Sequence, residues 1–271
     1  MNRFKYLSIP YIIWLIILVV LPLLAMLILS FMDSDSLDLS TAKFSLDNWA
    51  SLFNQVYLNA FWNSLKIAGI ATIICILIGY PISYIISNSH LENKFALIMI
   101  LILPMWSNQL LRIIAWEKIF YPISIINNIG LSFDLIGTDF AVIFATVTMY
   151  LPFMILPTYT VLEKMDKSYV EASYDLGVSR VRTFFKITLP MSSKGIMSGI
   201  IMVFLPASTG FAITERLGGG KIIMIGNVIE NFFKRSFNYN MGSMLSLVVI
   251  LIIMGAIVLL SKFDKEGETI I

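Results

Sequence analysis

Charged residues in this chain fall in clusters separated by long apolar stretches. Six stretches carry no Asp, Glu, Lys or Arg: Tyr6–Met32 (27 residues), Ile67–Ser89 (23), Phe95–Leu111 (17), Phe140–Leu162 (23), Gly195–Thr214 (20) and Ser236–Ser261 (26). A helix needs about 20 apolar residues to cross a hydrocarbon core of about 30 Å. Five stretches reach that length unaided. The third does so by running on through Ile113, Ile114, Ala115 and Trp116, with Arg112 near its end. A seventh gap, 119–133, holds Pro122, Asn127, Asn128 and Gly130 and reads as a loop or re-entrant segment. The pattern predicts an all-α membrane protein with spans at about 8–32, 63–87, 95–117, 140–162, 194–214 and 240–262, in one domain covering 1–271. The first stretch is too long for a signal peptide, whose apolar core runs about 7–15 residues, and no A-x-A-like cleavage site follows it.

Composition agrees with this pattern and narrows the chemistry. Of 271 residues, 58% are hydrophobic and 13% charged, about half the charged share of a soluble domain. That excludes a water-soluble enzyme as the default. A net charge of +2 suggests no nucleic-acid surface. The single cysteine, Cys75, excludes an intramolecular disulfide and a multi-cysteine metal site, and it reads as a small packing residue inside a span. The single histidine, His90, excludes a His-rich metal site and reads as a solvated loop residue. With the N-terminus placed in the cytoplasm, the inner segments hold 11 Lys and Arg and the outer segments 8. This bias puts both termini inside, and the acidic first loop, with Asp33, Asp35, Asp38 and Asp47, outside.

Seven of the nine prolines lie inside the uncharged stretches. Each removes a helical hydrogen bond and bends its helix, as a transporter needs around a path and as ordinary bundle packing also tolerates. The inner loop, 163–193, contains the run KSYVEASYDLGVSRVRTFFKITLP from Lys167 to Pro190. Ser168 and Glu171 have capping-box spacing, Gly177 reads as a helix stop, Ser179 as a second cap, and Pro190 as a barrier to continuation. Val170 and Tyr174 share one face of the first helix; Val181 and Phe185, with Phe184 beside them, form the stripe of the second. Two short amphipathic helices follow. Their apolar stripe has two possible destinations: the membrane and spans, or a groove on a soluble partner.

This loop resembles that of the import-type permeases of ABC transporters, which has the form EAA, three residues, Gly, nine residues, Ile, one residue, Leu-Pro. Glu171, Ala172, Ser173, Gly177, Ile187, Leu189 and Pro190 match that spacing, with Ser173 replacing the second alanine. The resemblance implies a type I importer permease fold in a bacterial inner membrane and a loop that docks on an ATP-hydrolysing subunit. Three further stretches, LPMWSNQLLRII (Leu103–Ile114), YLPFMILPTYTVLEKMDK (Tyr150–Lys167) and LPASTGFAITERLGGGKIIMIGNVI (Leu205–Ile229), resemble the spermidine/putrescine permeases of the PotB type. The resemblance then implies a second, PotC-type permease, two cytoplasmic ATP-binding subunits and an extracytoplasmic polyamine-binding protein as partners. ATP and Mg would bind those partner ATPase subunits, with no cofactor in this chain.

The remaining residues are consistent with transport without catalysis. Gly218-Gly219-Gly220-Lys221 lacks phosphate-loop spacing, since Ile222 stands where Ser or Thr is required, and reads as a tight outer turn. A polyamine needs carboxylates, carbonyl oxygens or aromatic faces to replace its water. The six uncharged stretches hold no acid. The path expected here therefore uses Glu117 and Glu215 at the outer rim, aromatic faces of Trp106, Trp116 and Tyr150, and the oxygens of Asn108 and Gln109. The nearest rival is the same fold carrying another solute, such as a metal ion or an opine. A proton-driven carrier is disfavoured by the lack of an intramembrane acid, and a membrane protease by the lack of a Ser/His or acidic pair in the spans.

Overall fold

The computed structural model describes residues 10–33, 43–89, 92–121 and 135–263, with side chains as far as 258. His90, the first loop's Asp35 and Asp38, and most of the seventh gap lie outside the described residues. Helix α1 spans Pro10–Ser30. A two-residue β-ladder, β1 (Met32–Asp33) with β2 (Lys43–Phe44), follows it, then α2 (Asp47–Ala50) and α3 (Gln55–Asn88). Next come α4 (Lys94–Ile102), α5 (Gln109–Phe120) and α6 (Asp139–Lys164). The loop helices are α7 (Ser168–Asp175) and α8 (Arg180–Met191). The chain closes with α9 (Ser193–Thr209), α10 (Ala212–Leu217), α11 (Ile225–Lys234) and α12 (Tyr239–Phe263).

Among the described residues, four helices, α1, α3, α6 and α12, are long and apolar enough to cross a membrane alone. Two more crossings arise if each bent pair counts as one span: α4 with α5, bent by 83°, and α8 with α9, bent by 61°. The first bend has a local cause. Pro104 lies in a tight helical turn over Leu103–Trp106, Ser107 is extended, and the Asn108 side chain caps the restart by accepting the Leu110 N–H at 2.8 Å. Arg112 lies one turn into α5, beyond this break, and α5 continues to Phe120.

The centre of the bundle is α3, α6 and α9. Lipid offers no hydrophobic drive for helix association, so close backbone approach carries the packing. α3 presents Ala68, Ala71, Cys75 and Gly79, and α6 presents Ala141 and Ala145, all buried. Cys75 is thus the packing residue its setting suggested. Lys66 pairs with Asp139, and the Ser83 hydroxyl donates to the Ile155 carbonyl at 3.0 Å. The near-constant sequence offset of 73 and 72 residues shows that α3 and α6 run parallel. α9 runs antiparallel to α6: Gly195 faces Pro157 and Thr158, and Gly199 faces Met154. A Cβ on Gly195 would lie 2.9 Å from the Pro157 carbonyl oxygen, so only glycine permits this approach. The Met154 side chain fills the wedge between Gly79 and Gly199. α1 packs along α12, and its spanning face is otherwise open.

Candidate functional site

The loop helices build the first site. Two parts of the sequence reading change. No side chain caps α7 in the expected way: Ser168 is its first helical residue, so Ser168 and Glu171 form no capping box. Asp166 serves instead, its carboxylate accepting the Ser168 N–H at 2.9 Å. The Ser168 donors hold the Asp166 carboxyl below the usual aspartate range. Ser179 precedes α8 without a side-chain cap bond. The Gly177 stop is as read. Gly177 has φ +75°, its N–H donates to the Tyr174 carbonyl at 2.9 Å, and the Val178 N–H donates to the Ser173 carbonyl at 3.1 Å. This pair of bonds is the Schellman closure that needs a left-handed residue.

Ser173, the departure from the family alanine, has acquired a partner. Its hydroxyl meets the Thr183 hydroxyl at 2.8 Å, with both residues buried, and ties α7 to α8 across the bend. The two adjacent phenylalanines then separate. Phe184 turns inward, edge-on to Tyr80 (5.8 Å) and Tyr84 (5.3 Å) of α3. Phe185 turns outward, 61% exposed. The Ser192 hydroxyl at the α8–α9 bend contacts the Tyr80 hydroxyl at 2.9 Å. The loop is therefore linked mechanically to α3 at two points. Tyr169, Leu176, Val181 and Phe185 leave an apolar surface uncovered by this chain, and Glu171 and Ala172 are exposed on α7. Ile187 and Leu189 are half-buried, and Pro190 is exposed. The spans do not cover this stripe.

The residues expected along a path do not converge in one place. Trp106 stands at the α4–α5 break, 80% exposed. Asn108 is exposed, with its amide oxygen engaged in the α5 cap. Gln109, Arg112, Trp116 and Phe120 share the face of α5 that meets α6. There Trp116 stacks on Phe120 (5.5 Å) and meets Phe144 edge-on (4.8 Å), so its ring serves packing. Tyr150 is buried, and its hydroxyl interacts with the Gln109 side chain and the Arg112 charge. Glu117 pairs with Arg216 at 3.7 Å rather than with Arg112. Glu215 pairs with Arg235 at 3.4 Å, at the other end of the bundle from α7.

Glu215 opens into a cavity of about 760 Å³ beside α10 and α11. Tyr57, Asn227, Glu230 and Asn231 line it too, and sequence reading singled out none of them. Glu230 pairs with Lys234 at 2.7 Å, which raises the lysine above its usual range. The i,i+4 spacing of Glu230 and Lys234 was the available signal; a search for uncharged stretches passed over it. The glycine run makes a tight turn, with Gly219 at φ +55° and Gly220 at φ +72°.

Residues 1–263 match the family described as "Binding-protein-dependent transport system inner membrane component". The chain belongs to this permease family. It is a membrane component of a binding-protein-dependent importer, with no catalytic role of its own. The chain is similar to the spermidine/putrescine transport system permease protein PotB of Haemophilus influenzae, 37% identical over 254 residues, covering 91% of this chain and 89% of that one. The PotB protein of Escherichia coli K12 is 34% identical over 253 residues, covering 91% and 92%. The fold matches a bacterial ABC transporter that imports the acidic polysaccharide alginate, with a TM-score of 0.79 at 16% identity, covering 97% of this chain and 96% of that one. The alginate transporter in complex with its pentasaccharide-bound periplasmic protein matches at 0.81 and 14% identity, covering 98% and 96%. These structures establish the importer permease fold for this chain.

Proposed function

We propose that this chain is the permease subunit of an ATP-driven importer for polyamines of the spermidine and putrescine class. The observation that carries this reading is the 34–37% identity to spermidine/putrescine permeases, spread over about nine-tenths of both chains. The subunit pairs with a second, homologous permease and works with two cytoplasmic ATP-binding subunits and an extracytoplasmic binding protein.

The loop α7–α8 docks on the ATP-binding subunit through Tyr169, Leu176, Val181 and Phe185, whose exposure fits a groove-binding helix face. The loop end, and with it both termini, faces the cytoplasm. Closure of the ATP-binding subunits moves the loop. The Ser173–Thr183 bond keeps its two arms together, and the Phe184–Tyr80–Tyr84 cluster and the Ser192–Tyr80 contact pass the motion to α3. Because α3 packs in parallel register on α6, the two tilt as one body and the path opens outward. Hydrolysis then resets it.

For the cargo, this chain offers neutral groups at depth and acids at the rim. Gln109 and Tyr150 supply oxygens beside the α4–α5 break, with Trp106 as an exposed aromatic face. Glu215 and Glu230 supply carboxylates in the rim cavity. Lys234 and Arg235 are solvent-exposed, so water screens both ion pairs and an ammonium group can replace either cation. Radiolabelled spermidine and putrescine uptake into proteoliposomes holding all subunits tests the reading. ATP-dependent uptake competed by excess polyamine supports it. ATPase stimulation without polyamine uptake refutes the substrate and leaves the permease role.

A further inference from the structure

Arg112 lies in α5, half-buried against α6, next to Tyr150 and Gln109. Its Nε and Nη1 are buried and have no hydrogen-bond partner. A guanidinium has donors only, is always charged, and is costly to bury without an acceptor. The acids within the described helical bundle are already engaged. Asp139 pairs with Lys66, Glu163 with Lys94, Glu117 with Arg216, Glu215 with Arg235, and Glu230 with Lys234. The described parts of α3, α4, α9 and α12 carry no acid. Among the described helices of the bundle no free acid is left to accept from Arg112 Nε and Nη1, and an acceptor supplied by a neighbouring subunit would complete them. A carboxylate of the second permease matches this site in charge.

We propose that Arg112 is a resident counter-ion of the importer. Its guanidinium pairs with a carboxylate that the second permease places in the shared path, and it yields that carboxylate to the ammonium groups of passing cargo. The device holds an intramembrane carboxylate in a paired state between transport cycles, which limits leakage of small cations. It rests on the polyamine reading for the cargo, but not for the pairing itself.

The complete reconstituted importer tests it with Arg112→Gln and Arg112→Lys. Removing a resident competitor raises the fraction of path sites free for cargo, so Arg112→Gln is expected to lower the uptake KM about five- to tenfold. Turnover falls with it, because release slows, while Arg112→Lys keeps both constants within about twofold of wild type. An unchanged KM with Arg112→Gln, or a fall in turnover alone, overturns the proposal, since a merely structural arginine would lower the amount of active complex without tightening the cargo. If Arg112→Gln fails to assemble, Arg112→Glu is combined with Arg at each intramembrane Asp or Glu of the second permease. Recovery of assembly and ATPase activity by one combination supports the pairing, and recovery by none refutes it. That readout does not depend on the cargo, so absence of polyamine uptake by the wild type would sink the substrate reading and leave the swap to decide Arg112.

Discussion

Gly177 offers a test in which strain and bulk make opposite predictions. Its φ of +75° closes α7 through the bonds from Gly177 N–H to Tyr174 and from Val178 N–H to Ser173. A Cβ built there meets nothing within 4 Å, so within this chain a substitution costs backbone strain alone. That strain is about 1–2 kcal/mol for an ordinary residue and is lowest for Asn, which tolerates the left-handed region. A β-branched side chain sits at the upper end or above. Since 1.4 kcal/mol is a factor of about 10 in an equilibrium, Gly177→Ala should deplete the closed loop about fivefold to thirtyfold and Gly177→Val more, with Gly177→Asn close to wild type. The assay is cargo imported per ATP hydrolysed in the reconstituted importer, with permease content in the membrane as control. The order Gly, Asn, Ala, Val supports the strain argument. Asn as harmful as Val would refute it, because side-chain bulk against the ATP-binding subunit would then decide the outcome.

Three other outcomes follow from named contacts. Ser173→Ala leaves the buried Thr183 hydroxyl without its partner and should destabilise the loop by about 1–3 kcal/mol; hydrogen exchange over 168–190 should report this, and adding Thr183→Val should recover most of the loss. Gly195→Ala should abolish folded permease in the membrane, since its Cβ meets backbone at 2.9 Å, whereas Gly199→Ala meets chiefly the Met154 side chain and should be rescued when Met154→Ala is added; equal expression of the two single variants would count against the packing argument. The Asp166 carboxyl is held below the usual aspartate range by Ser168. A depressed carboxyl contributes above its unfolded value and loses that contribution as pH falls through the folded one. Protease resistance of α7 should therefore be flat from about pH 8 to 5, and a decline within that window would assign the cap elsewhere.

The sequence made α1, α3, α6 and α12 legible because a span is a local property: an uncharged run of sufficient length needs no neighbour to be recognised. The loop motif was legible for a similar reason, since the Gly177 stop and the stripe of Val181 and Phe185 follow from spacing along one segment. The 83° bend between α4 and α5 was not legible, because hydropathy registers that Phe95–Leu111 lacks charge but not that Pro104 and Asn108 break the helix there. The cavity was missed at Glu230, Asn227 and Tyr57 because its walls join α10 and α11 to α3, which lies far from them in the chain.

By itself, then, the sequence determined the class, the approximate number of crossings, the loop chemistry and the absence of acids from the uncharged stretches. Tertiary structure decided which cations Glu117, Glu163, Glu215 and Glu230 meet, which of Phe184 and Phe185 turns inward, how Ser173 is used and that Arg112 Nε and Nη1 meet no acceptor among the described residues. The physical reason is one of range. Transfer into lipid and helix capping act on neighbours in sequence, whereas ion pairs and close helix contacts depend on backbones approaching from distant parts of the chain, as Gly195 does at Pro157.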